Sequence, residues 1–373
     1  MKNKNLRIGA VVLAAGYASR MGTCKALLYI KGRSAVSRVI GTLREAGVDD
    51  PVVVAGCYRE KVEHEARACG ARTVFNERYD DGMFSSVRAG VESLSGDLDA
   101  FFLLPADIPM VRPSTCRALK EAFLEGVEVV YPAFRGVRGH PPLIGARLIP
   151  EILAWKGDGG LRALLAHHEE GARVIEVPDG GISLDMDTPE DHALLNLMAE
   201  REDIPSEQEC LAFHDLFDSP QKVREHCFVV AKVAGVLAER LRGVHPVDPP
   251  LLMAAAQLHD MARTLPNHAE EAARALEAWG FPEPADLVRH HMDLPENEPQ
   301  LSGRSLLYLA DKITSGNRVV ELDQKSISMG KRLSNDPHAL EAALWRLRKA
   351  MDTASAFEKT TGTRLEEALS SLL

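Results

Sequence analysis

VVLAAGYASRMGTCK, residues 11–25, is the stretch on which the reading of this chain turns. It begins as an apolar run and breaks at Gly16. Within the next nine residues it delivers Arg20, Gly22 and Lys25. An apolar strand that hands over to a glycine-bearing basic loop is how a sheet presents a phosphate-binding turn. The glycines allow close backbone approach to an anion, Arg20 can fork onto phosphate oxygens, and Lys25 adds a point charge. Spacing alone also fits an ordinary strand-to-helix turn with two surface cations, so the rest of the chain decides between them.

Outward from that loop, apolar runs alternate with helical patterns. Strands are expected over 6–14, 51–55, 72–75, 98–104 and 127–131, and helices over 34–46, 59–69, 84–93 and 114–123. This alternation predicts a mostly parallel α/β sheet with helices on both faces. Ligands of such sheets sit beyond the carboxyl ends of the strands. Asp107 falls there, just past the run DAFFLLP. Its carboxylate could hold Mg²⁺, or serve as a turn or cap residue. A second acidic cluster, residues 184–191 (LDMDTPED), precedes a helix starting at Pro189. Thr188 or Asp187 can cap that helix, which accounts for one of these acids but not for both Asp185 and Asp187.

The composition bounds the function. At 373 residues, with 45% apolar and 26% charged side chains, two or three ordinary globular domains are expected. Lys and Arg number 24 against 27 acids in the first 200 residues, and 20 against 27 in the remainder. Neither half is basic, so no nucleic-acid footprint is expected. An anionic substrate must be held by a few placed cations or by metal. Six scattered cysteines without a C-x-x-C pair predict a reduced, cytoplasmic protein. Cys24, inside the loop, reads as a small filler residue or a reactive thiol. There is no signal core and no run long enough to span a membrane.

Taken together, Leu13 to Lys25 (L-A-A-G-x-x-S-R-M-G-x-x-K) resembles the signature of the molybdenum-cofactor nucleotidyltransferase family, and most nearly its cytidylyltransferase branch. Further motifs follow in order over residues 6–198. They are Asn76 with Gly82-Met83-Phe84-Ser85-Ser86-Val87 and Gly90; Asp107-Ile108-Pro109; Pro132 with Arg138-Gly139-His140-Pro141; Gly157 to Arg162; and Asp187 to Asp191. The resemblance implies a Rossmann-like nucleotidyltransferase domain. It assigns the nucleotide to Leu13, Ala14, Ala15, Gly16, Arg20, Lys25, Ser85 and Asp107, and Mg²⁺ to Asp107 and Asp187. It turns the segment 138–141 toward a second substrate, which His140 could orient unless it is a structural loop histidine. Guanylyltransferase relatives usually carry glycine at the position of Ala15, so Ala15 favours CTP. The implied reaction moves CMP from CTP to molybdopterin or a related phosphate-bearing acceptor, with a molybdoenzyme or its chaperone as a protein partner. A sugar- or isoprenoid-phosphate cytidylyltransferase shares a similar loop, and the RGHP segment argues against it.

A change of character follows. Residues 199–209 (AEREDIPSEQE) are polar and aperiodic. The expected organisation is a transferase domain over 1–200, a linker over 201–215 and an all-α domain over 216–373. Helical spacing recurs over 223–241, 250–261, 269–279, 301–315 and 340–357. Across these helices stand His226, His259-Asp260, His268, His290-His291 and Asp311. This order resembles the HD superfamily of metal-dependent phosphohydrolases. The resemblance implies one metal on His226, His259, Asp260 and Asp311, with His268, His290 and His291 able to support a second. Such His/Asp sets accept Mn²⁺, Fe, Co²⁺ or Ni²⁺. The other reading of this half is a nucleotide-sensing regulatory module. Lys312 and Arg318 are expected to be solvated cations, and the seven remaining histidines to be structural.

Overall fold

The structure, a computed structural model, describes residues 6–17, 22–320, 322 and 337–372. Arg20, expected at the phosphates, lies outside the described residues. The chain divides into two compact units, Met1–Glu202 and Asp203–Leu373.

The first unit is built on an eight-stranded, mostly parallel sheet. Its strands are β1 (Ile8–Ala14), β4 (Pro51–Ala55), β5 (Arg72–Phe75), β6 (Ala100–Pro105), β7 (Val129–Phe134), β8 (Val137–Arg138), β9 (Leu143–Gly145) and β10 (Ala172–Glu176). A separate small hairpin pairs β2 (Tyr29–Ile30) with β3 (Arg33–Ser34). The sheet runs β10-β7-β9-β6-β1-β4-β5, with β8 added on β7. β9 runs antiparallel to both of its neighbours. The central strands are buried on both faces, which is why PVVVA reads as a continuous apolar run rather than an alternation. Helices α1 (Ala35–Glu45), α2 (Arg59–Ala68), α3 (Met83–Glu92) and α4 (Pro113–Ala122) follow strands as their periodicity predicts, and α5 (Ile149–Ala154), α6 (Gly160–Ala166) and α7 (Pro189–Ala199) complete the unit.

Register positions the chemistry. Leu13 pairs with Pro105, and Ala14 with Ala55. Three strands therefore end at one edge, and the loops holding Gly16 and Asp107 emerge side by side. Close packing of α3 on the sheet depends on Gly90: a Cβ there would stand 2.3 Å from Val11 Cγ1 and 2.8 Å from Val54 Cγ2. Gly90→Ala should therefore lower the stability of the α/β unit by about 1–3 kcal/mol by overpacking. This should occur even though alanine favours a helix by about 1 kcal/mol. Calorimetry checks it, since only one of the two units' transitions should move.

The second unit is helical. It contains α8 (Glu207–Leu216), α9 (Gln221–Leu241), α10 (Pro249–Leu258), α11 (His268–Trp279), α12 (Pro282–Arg289), α13 (Gly303–Lys312) and the long helix Pro337–Thr361. Two expectations need correction. The stretch 201–215 is mostly helix, not linker. Ser206 and Glu209 form a capping box that starts α8, and Cys210 and Phe213 are buried in the core of this unit. Its polar face masks this in the sequence. The unit is helical as expected, but one helix is shorter than predicted. The helix expected to reach residue 315 stops at Lys312, and β11 (Thr314–Ser315) pairs with β12 (Arg318–Val319) in a short hairpin. Among the described residues, no helix is long and apolar enough to cross a membrane.

Candidate nucleotide and metal sites

At the carboxyl edge of the sheet lies a cleft of about 320 Å³. Leu13, Ala14, Ala15, Gly16 and Tyr17 form one wall, Tyr79, Gly82, Met83 and Ser86 another, and Lys25 and Asp107 one end. The first wall is fixed from below: Ala106 N–H donates to Leu13 O (2.9 Å), and Cys57 N–H to Ala15 O (3.4 Å). Gly56 lies so close to Ala15 that a Cβ on it would sit 2.4 Å from the Ala15 carbonyl and 2.8 Å from its methyl. The backbone of residue 15 thus has one position.

The acids converge through a backbone bond. Met186 N–H donates to Asp107 O at 2.9 Å, which brings the acidic cluster against the loop after β6. Thr188 caps α7 and forms a capping box with Asp191. That leaves the Asp187 carboxylate to accept from Lys25 Nζ. Lys25 also stands 3.6 Å from Asp107 Oδ2. Burial pushes the Asp107 carboxyl above its ordinary range, against the opposing pull of Lys25. Asp185 is exposed. Two carboxylates around one cationic position form a hard-oxygen donor set that fits Mg²⁺.

Two expected residues sit differently. The Ser85 hydroxyl is taken up by the turn before α3, donating to Arg78 O (2.7 Å) and Gly82 O (2.8 Å) and accepting from Asn76 Nδ2 (2.8 Å). Its neighbour Ser86 lines the cleft instead. Arg138 is already paired with Glu169 and lies over the Tyr131 ring, 4.8 Å from its centre. His140 is half-buried, and burial pushes its pKa down, which favours the neutral ring. Its Nδ1 has no hydrogen-bond partner among the described residues.

In the helical unit the histidines gather. His226 Nε2 lies 3.1 Å, and His259 Nε2 3.6 Å, from Asp311 Oδ1. His268 Nε2 (3.1 Å) and His291 Nε2 (3.3 Å) both face Asp260 Oδ1. Asp260 belongs to two groups of potential metal ligands, one with His226 and His259 and one with His268 and His291. Three imidazoles spend Nδ1 on main-chain carbonyls: His226 on Gly316, His259 on Ala256 and His291 on Val288. This fixes the ring so that Nε2 points into the cluster. Among the described residues, buried His259 Nε2, Asp260 Oδ1 and His291 Nε2 approach their neighbours without an aligned hydrogen bond, a costly arrangement that a metal ion would satisfy. The donors therefore fit the implied metal. Burial works against a charge on His259, but Cys227 and then the Asp311 and Asp260 carboxylates hold its pKa well above normal. Burial pushes His291 down.

The structure separates the His290-His291 pair. His290 Nδ1 bonds Asp286 O at the end of α12, and His290 is in neither ligand group. Lys312 is not solvated: it bonds Asp311 Oδ2 at 2.6 Å and lies over the Tyr308 ring. Sequence reasoning missed Arg263, whose Nη1 lies 3.0 Å from His268 Nε2 and 3.5 Å from Asp260 Oδ1. Its position three residues after Asp260, one turn on, was the available signal. Four of the histidines expected to be structural are so: His168 bridges Glu128 and Glu151, and His192, His214 and His245 bond the carbonyls of Tyr29, Gln257 and Leu301.

Comparison with known proteins agrees with this geometry. Residues 10–172 match the MobA-like NTP transferase domain and residues 223–316 the HD domain. The purine catabolism protein PucB of Bacillus subtilis is 31% identical over 199 residues, covering 50% of this chain and 94% of that protein. The molybdenum cofactor cytidylyltransferase of Escherichia coli is 25% identical over 192 residues, covering 49% and 93%. The bifunctional protein GlmU of Azorhizobium caulinodans is 37% identical over 128 residues, and the match spans only 29% of its length. Six ordered motifs, the doubly buried parallel sheet and these matches converge: the chain belongs to the MobA-like NTP transferase family, as a nucleotidyltransferase that carries an HD domain on the same polypeptide.

Proposed function

We propose that the α/β unit transfers CMP from CTP to molybdopterin, or a closely related phosphate-bearing acceptor, and releases pyrophosphate. The observation that carries this reading is the convergence of Lys25, Asp107 and Asp187 at one end of the cleft bounded by Leu13–Tyr17. Backbone groups of the Leu13–Gly16 wall, fixed by Gly56 and Ala106, hold the base. Lys25 offers its charge to the triphosphate. Asp107 and Asp187 offer oxygen ligands, and Mg²⁺ bound there would offset the charge that shifts onto the leaving pyrophosphate. The acceptor phosphate is already ionised near neutral pH, so the cleft needs no general base. His140, whose Nδ1 has no hydrogen-bond partner among the described residues, orients that phosphate. Arg20 joins Lys25 at the phosphates by family resemblance.

The choice of CTP rests on Ala15 and on the likeness to a molybdenum cofactor cytidylyltransferase. Calorimetric titration with CTP, GTP and ATP tests it. CTP should bind about tenfold or more tighter, a difference of ~1.4 kcal/mol. Tighter GTP binding would overturn the base assignment.

The helical unit is proposed to hydrolyse a phosphoester. His226, His259, Asp260 and Asp311 would hold one divalent ion, and Asp260, His268 and His291 a second. Nitrogen and carboxylate donors suit Mn²⁺, Fe, Co²⁺ or Ni²⁺, which would supply an acidified water as nucleophile. Arg263, beside Asp260 and His268, is set to meet the phosphate. Lys312 holds Asp311 by its second oxygen.

A further inference from the structure

Lys25 opens a short 3-10 turn, Lys25–Leu27, directly after the basic loop. Its ammonium bonds Asp187 and stands 3.6 Å from Asp107. The two carboxylates that would hold the divalent ion are thus bridged by a cation from the same chain. The Lys25 side chain is only 18% exposed, less than either acid. Among the described residues this pairing accounts for the ammonium without any substrate. Yet a triphosphate in the cleft needs the same ammonium, and a divalent ion needs the same two carboxylates. Both demands compete with the ion pairs that Lys25 makes.

We propose that Lys25 is the counter-ion that Asp107 and Asp187 share before a nucleotide binds, and that it sets the order of entry. It holds Asp107 and Asp187 together in the absence of metal, and releases them when the nucleotide phosphates draw its ammonium away. Metal and nucleotide then enter together, and metal does not enter first.

The electrostatics run one way. A divalent ion approaching the nucleotide-free cleft would meet two carboxylates already half neutralised by Lys25, whose ammonium would repel it. A nucleoside triphosphate reverses both terms. It gives the ammonium a more negative partner and brings oxygen ligands for the ion. The lysine stem has four rotatable bonds, so the transfer needs no backbone change. This inference rests on the reading of Asp107 and Asp187 as metal carboxylates. It does not depend on which base or acceptor is used.

Titration of the full chain with Mn²⁺, followed by paramagnetic resonance of the free ion, tests it. Ions held by the helical unit are subtracted with Asp107→Asn, so the quantity read is the Asp107-dependent ion. Wild type should bind that ion only when CTP is present. Lys25→Gln should bind it without nucleotide, about tenfold or more tighter than nucleotide-free wild type. Lys25→Arg, which keeps the charge, should behave as wild type, and an unchanged thermal transition shows that the variants are folded. Equal nucleotide-free affinity in wild type and Lys25→Gln would overturn the proposal. An Asp107-dependent ion absent even with CTP would overturn the metal assignment itself, a distinguishable failure.

Discussion

Asp107→Asn should cut pyrophosphate release from CTP by about 10²–10³-fold, the scale seen when one preorganised electrostatic contact to a transition state is removed. Asparagine keeps the shape of the side chain and its main-chain surroundings, including the bond from Met186 N–H to Asp107 O. What it removes is one of the two negative charges beside Lys25. The loss should fall mainly on turnover, because the base wall of Leu13–Gly16 is untouched and CTP can still dock. Phosphohydrolysis by the helical unit should be unchanged. Rate measurements on both activities in one preparation check this, and transfer at the wild-type rate would remove Asp107 from the metal.

Asp260 is the corresponding point of failure in the helical unit, because it belongs to both groups of potential ligands. Asp260→Asn should lower hydrolysis of a chromogenic phosphoester by about 10³-fold, equivalent to ~4 kcal/mol of transition-state stabilisation. Metal content by elemental analysis should fall with it. Two neighbours give the control. His291→Ala should also lower bound metal, since Nε2 faces Asp260 at 3.3 Å. His290→Ala should not, since its ring is turned to Asp286. Equal metal loss in the two histidine variants would contradict the ligand set.

The histidine pair shows where sequence stops. Consecutive residues near a helix end point about 100° apart, and which one faces inward depends on where the helix ends. The motif order marked the region but not the residue. The same limit applied to Ser85 and Ser86, where the turn captured one hydroxyl and left the other at the cleft. The place of Asp107 was legible because parallel strands end at one edge, so a loop acid after a buried strand is already near the ligand edge, whereas Asp187 is brought there by the Met186 N–H to Asp107 O bond, which no pattern of strands foretells. β9 was not legible. It is three residues long, and its antiparallel pairing leaves no trace in an alternation of strands and helices. The β11–β12 hairpin was equally silent, although Gly316 O in its turn orients His226. Lys312 read as a solvated charge because burial and ion pairing are tertiary facts, and Arg263 drew no reading at all. α8 was hidden because a half-buried helix that opens Glu207-Gln208-Glu209 resembles a linker in composition.

Transfer of CMP from CTP onto a phosphate-bearing acceptor is proposed for the α/β unit, at a site centred on Lys25, Asp107 and Asp187. The most direct measurement is pyrophosphate release from CTP, GTP and ATP with protein-bound molybdopterin as acceptor, in the presence of Mg²⁺. Release from CTP should require the acceptor and be lost in Asp107→Asn. Release from GTP in preference to CTP, or release that Asp107→Asn leaves intact, would contradict it.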